Sequence, residues 1–201
     1  MARLIILGPP GSGKGTQAEY IARHFSIPAI STGDLFRAHV KGRTELGAEA
    51  GKYMDKGEFV PDHVTTGMLR LRLQDGDAAA GFLLDGYPRN AAQVLALDEL
   101  LSSGRHAVDV VIALTVGDDE LAARMLRRAK EQGRSDDTES VIKRRLELYR
   151  DETHAVVTSY TERGLLVSVD GTGEREAITA AAIAAVQAAL ERGSVAGPGR
   201  D

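Results

Sequence analysis

Short apolar runs alternate with amphipathic stretches along this chain. The runs lie at Leu4 to Leu7, Pro28 to Ile30, Phe82 to Leu84, Val108 to Leu114 and Leu165 to Val169. The first is too short for anything but a buried strand, and helical patterns separate it from the others. After it, KGTQAEYIARHF sets Ala18, Ile21, Ala22 and Phe25 at i, i+3, i+4 and i+7, the stripe of an amphipathic helix. Strand and helix in alternation predict an α/β sandwich around a five-stranded parallel sheet. Right-handed crossovers would cover both faces and leave ligands at the strands' C-terminal edge. Near the end of the chain, Ala177 to Leu190 is alanine-rich, with Ile178, Ile183, Val186 and Leu190 as its larger apolar residues. It predicts a closing helix on the sheet, and residues 193–201, GSVAGPGRD, read as a flexible tail.

Two stretches fall outside the alternation. Ser31 to Val60 contains helical segments with few large apolar residues, and Arg128 to Asp137 (RAKEQGRSDD) is polar and charged. Both predict surface covers inserted into one domain, 1–201, rather than separate domains. There are 25 Lys plus Arg against 29 Asp plus Glu, so no general basic surface serves a nucleic-acid backbone and any anion site is local. The absence of cysteine excludes disulfides and cysteine-ligated zinc, and fits a reducing compartment. The N-terminal apolar stretch ends at Leu7, too early for a signal or a membrane span, so a cytoplasmic protein with no membrane partner is expected.

The chemistry concentrates just after the apolar runs. Residues Gly8 to Thr16 read GPPGSGKGT between a strand and a helix. A phosphate chain is gripped by converging backbone N–H groups, whose approach a Cβ would block, and the helix N-terminus adds positive potential. The strict phosphate-loop pattern places Ser or Thr directly after the lysine; here Gly15 intervenes and the hydroxyl arrives at Thr16. In ISTGDLFR, Ser31 and Asp34 have capping-box spacing, which predicts a helix start with Thr32 at its N-terminus and Arg37 one turn inward, a second anion site. In FLLDGYPRN, Asp85 ends a strand, Gly86 permits close backbone approach, Pro88 stiffens the turn and Arg89 offers a planar fork for phosphate. Gln93 follows Arg89 by four residues and carries both the donor and the acceptor that reading a base edge requires. Arg124 and Arg128 share a helix face, Arg134 sits in the polar loop and Arg145 lies on the next helix, so the four could surround a transferring phosphoryl group. Arg127 and Arg144 read as solvated helix arginines, and the five histidines as surface or packing residues.

GPPGSGKGTQ, STGDLFR, MDKGEFVP, GFLLDGYPRN and GRSDDTESVIKRRLELYRDET, taken together, resemble the adenylate kinases, from Leu4 to roughly Leu190. The displaced hydroxyl at Thr16 is that family's own form of the phosphate loop. The resemblance implies reversible phosphoryl transfer between ATP and AMP, giving two ADP. It implies that Gly11, Ser12, Gly13, Lys14, Gly15 and Thr16 hold ATP phosphates, with Arg128 and the Gly173 backbone also on ATP. It implies that Thr32, Arg37, Glu58, Phe59, Val60, Gly86, Tyr87, Pro88, Arg89 and Gln93 bind AMP. Lys14, Arg89, Arg124, Arg128, Arg134 and Arg145 form the implied catalytic set, with Arg134 and Arg145 on the transferring phosphate. Asp85 would orient waters on a magnesium ion rather than bind it directly.

Only a short loop is available where long-cover relatives carry a small, sometimes zinc-bound domain, so the chain resembles the short-cover branch, without zinc. A monomer is expected, since the covers act within one chain. Pyrimidine monophosphate kinases share the phosphate loop, but resemble Thr32 and Gln93 less well. A GTPase-like switch would carry an Asn-Lys-x-Asp guanine-reading stretch, which is missing.

Overall fold

The computed structural model describes residues 2–56, 58–132 and 139–195. Its centre is a parallel sheet of β1 (Arg3–Leu7), β2 (Ala29–Ser31), β3 (Phe82–Asp85), β4 (Val110–Thr115) and β5 (Leu166–Asp170), in the order β2-β3-β1-β4-β5. Each expected apolar run supplies one strand, with bounds shifted by one or two residues. Strand β1 is buried along its whole length: Leu4 and Ile6 enter one apolar cluster, Ile5 and Leu7 the other. A strand buried on both faces reads as a continuous apolar run rather than an alternation, as the sequence has it.

Helices α1 (Lys14–Phe25) and α8 (Arg175–Val195) cover one face, where Ile21, Ile178, Ala182 and Val186 pack on Leu4, Ile6 and Ile112. On the other face, Leu69 of α4 (Asp62–Leu73), Leu97 of α5 (Ala91–Ser102) and Val156 and Tyr160 of α7 (Glu139–Glu162) pack on Ile5, Leu7 and Leu84. The chain therefore leaves adjacent strands β1 and β3 toward opposite faces. That divergence opens a crevice beyond their C-terminal ends, where Ile6 is in register with Asp85.

The first expected cover is built from α2 (Thr32–Lys41) and α3 (Glu45–Met54). Ser31 Oγ accepts from the Asp34 N–H at 3.3 Å and Thr44 Oγ1 from the Gly47 N–H at 3.0 Å, so a hydroxyl caps each helix. The cover has its own small core, in which Phe36, Ala50 and Val60 join Val64 and Met68 of α4. Helix α4, beyond Val60, thus contributes to that core. Large apolar residues are few because small ones do the packing: a Cβ on Gly47 would collide with the His39 carbonyl oxygen. Helix α6 (Asp118–Gln132) leads into the second expected cover, 128–137, of which residues 133–137 lie outside the described residues. Helix α8 continues to Val195, so the first three residues of the expected tail are helical. Among the described residues no helix is long and apolar enough to cross a membrane.

Candidate active site

A cleft of about 1170 Å³ opens at the C-terminal edge of the sheet. Its first wall is the loop between β1 and α1. Gly13 sits at φ 89° and caps α1 without a side-chain bond, and no acidic residue occupies the first turn, so the helix's leading N–H groups remain suited to an anion. Lys14 Nζ arches back over the loop to the Pro9 carbonyl at 2.9 Å. Ser12 Oγ is buried and, among the described residues, has no hydrogen-bond partner, a donor beside the same concavity.

The second wall is the turn after β3. Gly86, at φ 82°, lies so close to α2 that a Cβ there would be 2.8 Å from Thr32 Oγ1. The contact is a clasp: Thr32 Oγ1 donates to the Gly86 carbonyl at 3.0 Å, tying the start of α2 to β3. Arg89 Nε donates to that same carbonyl at 2.8 Å, and its guanidinium lies 5.0 Å from the centre of the Phe59 ring. Thr153 of α7 donates to the Arg89 carbonyl at 3.3 Å. Arg89 is therefore held from three sides, with its fork at the cleft.

The structure brings nearly all the expected residues to this cleft. Gly11 to Thr16, Thr32, Arg37, Glu58 to Val60, Asp85, Gly86, Pro88, Arg89, Gln93, Arg124, Arg145 and Gly173 all line it. The family model of adenylate kinase matches residues 6–165. The chain belongs to the adenylate kinase family. It is 57% identical to an adenylate kinase of Pseudarthrobacter chlorophenolicus over 94% of its own length and 98% of that protein's. It is 58% identical to one of Renibacterium salmoninarum over 92% and 96%, and 53% identical to one of Kocuria rhizophila over 96% and 100%.

Within this adenylate kinase fold, Tyr87 departs from expectation. Its side chain is wholly buried beside Leu84 and Leu97, and its hydroxyl shares a 2.9 Å hydrogen bond with Thr66. Tyr87 thus anchors the loop from the core, while Gly86, Pro88 and Arg89 face the cleft. Arg127, read from sequence as solvated, also lines the cleft; its spacing of three from Arg124 is the signal that places both on one side of α6. Arg144 keeps the expected solvated position, 3.7 Å from Glu147. Arg134 and the side chain of Arg128 lie outside the described residues. Sequence reasoning also missed Tyr149 and Arg175 at the cleft wall. Burial there pushes the Tyr149 hydroxyl up to about 12.

Charge in the cleft is arranged for anions. Burial pushes the Asp85 carboxyl above the ordinary carboxylate range, although Lys14 and Arg89 pull the other way. Burial, and repulsion from Arg145 and Arg37, bring the Arg89 guanidinium down to about 10 against the pull of Asp85. The cluster of like charge is thus unfavourable in itself and would be relieved by an anion. Arg124 is oriented by the Gly171 carbonyl at 3.0 Å and by Glu120.

The Asp85 shift yields a stability prediction. The folded chain holds this proton more tightly than the unfolded one, so ionisation of Asp85 opposes folding once pH rises above the unfolded value of about 3.9. Asp85→Asn is therefore expected to melt above the wild type at pH 7, with the gap closing as pH falls toward about 4, while turnover drops by at least about tenfold. Melting curves across that range and initial rates check both; a lower melting temperature at pH 7 contradicts the sign.

Proposed function

We propose that the loop from Gly11 to Thr16 receives the phosphates of ATP, and that Thr32, Arg37, Arg89 and Gln93 receive AMP in the opposite half of the cleft. The family's reaction is reversible phosphoryl transfer, ATP and AMP giving two ADP, and the chain is a nucleoside monophosphate kinase of this kind. One observation carries the residue assignment: the Ile6 to Asp85 register sets two anion-ready loops side by side at the ends of β1 and β3. A donor and an acceptor phosphate held there would meet over Lys14 and Arg89.

The acceptor is already an anionic phosphate oxygen, so the site needs no general base. What it needs is alignment and cancellation of charge, supplied by Lys14, Arg89, Arg124 and Arg145, each at the cleft. Arg128 and Arg134 belong to the same proposal. Magnesium fits the oxygen-only donors present: Thr16 lines the cleft, and Asp85 Oδ2 approaches the first turn of α1 within 3.6 Å of a Cβ built on Gly15. Bound with ATP, it would supply charge neutralisation, with Thr16 and Asp85 as the residues that would hold it, Asp85 through water. Zinc has no thiolate ligand in this cysteine-free chain and is not part of the proposal.

The separate small core of α2 to α4 supports a further part of the reading, closure of this cover over AMP to exclude water. Both halves of the cleft come from one chain, so a monomer suffices. The test is ADP formation from ATP and AMP with magnesium, alongside CMP and UMP as acceptors. ADP formation with a preference for AMP is expected; preference for a pyrimidine nucleotide, or no ADP, overturns the reading.

A further inference from the structure

Gln93, the residue assigned to the AMP base, is committed at both ends of its carboxamide. Its Nε2 donates to Asp62 Oδ1 at 2.6 Å, and its Oε1 accepts from the Arg89 backbone N–H at 2.8 Å. Asp62 opens α4, 31 positions away along the chain. Its carboxylate also accepts from Asn90 Nδ2 at 3.2 Å to each oxygen, while Asn90 Oδ1 caps α5 by accepting from the Gln93 N–H at 2.9 Å. Gln93 is almost fully buried, 2% exposed, yet lines the cleft.

A carboxylate only accepts, and a backbone N–H only donates. The direction of the Gln93 amide is therefore fixed by chemistry. Turned over, its NH2 would face the Arg89 N–H and its oxygen would face the Asp62 carboxylate, leaving two buried mismatches. In the fixed direction one N–H and one lone pair of the amide stay uncommitted. A 6-aminopurine offers an N6 donor and an N1 acceptor, the complement of that pair; a 6-oxopurine offers an O6 acceptor and an N1–H donor, which needs the amide reversed.

We propose that Asp62 is a positioning residue for base selection, locking the Gln93 amide in the direction that accepts a 6-amino purine and rejects a 6-oxo purine. This inference builds on the reading of Gln93 as the base-contacting residue. Asp62 touches the substrate through Gln93 alone. Asparagine at this position keeps the size of the side chain but can turn either its oxygen or its NH2 toward Gln93, so one of the two mismatches that bar the reversed amide is removed and only the Arg89 N–H still opposes it.

The experiment compares kcat/KM for AMP and for IMP, the 6-oxo analogue, in the wild type, Asp62→Asn, Gln93→Ala and the double variant, with melting curves on each. The AMP to IMP ratio should fall by at least about tenfold in Asp62→Asn, chiefly through KM, and Asp62→Asn should change it no further once Gln93 is alanine. A ratio within about twofold of wild type in Asp62→Asn, with a collapsed ratio in Gln93→Ala, overturns the role of Asp62 and leaves the base reading intact. An unchanged ratio in Gln93→Ala overturns the base reading itself, and the role of Asp62 with it. Should Asp62→Asn fold poorly, nitrogen-15 NMR of the wild-type side-chain amides decides the matter. A Gln93 NH2 protected from exchange without nucleotide supports the lock, and one exchanging as fast as an exposed glutamine removes it.

Discussion

Lys14→Ala lowers kcat/KM for ADP formation by about 10³-fold, most of it in kcat, with little change in melting temperature. Lys14 is the first residue of α1, and its ammonium group bends over the phosphate loop to the Pro9 carbonyl. On the proposed reading its charge matters in contact with the donor phosphate, because negative charge shifts between the nucleotides during transfer. A flexible ammonium can follow that shift, as a point charge with three donors does. The loop itself does not need Lys14 to stand: Gly13 sets the turn, and the Ser12 N–H is bonded to the Pro9 carbonyl at 3.1 Å. The fold should therefore survive the substitution. Steady-state rates with saturating AMP, together with a melting curve, make the check; a rate within about tenfold of wild type removes Lys14 from the catalytic set.

Such a prediction could be framed from sequence because the phosphate loop is local. Glycines, lysine and helix start occur within nine consecutive residues, and the chemistry that needs them leaves few alternatives. Alternating apolar runs likewise reveal five parallel strands. Their order is not legible, since nothing in a buried run such as VVIALT says which neighbour it takes. The burial of the Tyr87 side chain was not legible for a similar reason. Its neighbours in the turn face the cleft, but the backbone path through Pro88 decides which side each one takes, and apolar contact with Leu84 and Leu97 captures the ring. The α2 to α4 core was hidden because Phe36, Val64 and Met68 lie far apart in a stretch with few large apolar residues. The Asp62 to Gln93 bond joins the starts of two helices, and no periodicity marks a contact between residues so distant along the chain. Local chemistry is written in consecutive residues, whereas packing partners are selected by the folded chain.

Arg89→Leu is expected to lose activity by about 10³-fold and to melt no lower than the wild type. The two effects have one cause. The guanidinium is enclosed, faces Arg145 and Arg37, and is brought down to about 10 from the ordinary arginine value. A cation whose folded value is lowered weighs against folding at every pH below that value, and the burden fades only as pH rises through about 10. Leucine removes the charge while keeping apolar contact with Phe59, so the melting difference should be flat from about pH 6 to 9. On the proposed reading the wild type would recover this free energy when phosphate enters, so AMP should raise its melting temperature. The variant should show little or no such rise. Thermal shifts with and without AMP, measured beside the rates, separate this account from a structural one. If Arg89 mainly braced the turn through its bond to the Gly86 carbonyl, the variant would melt several degrees lower and still respond to AMP. A cleft tuned for anions predicts the opposite pair of results: a fold relieved of a confined charge, and a site no longer able to use one.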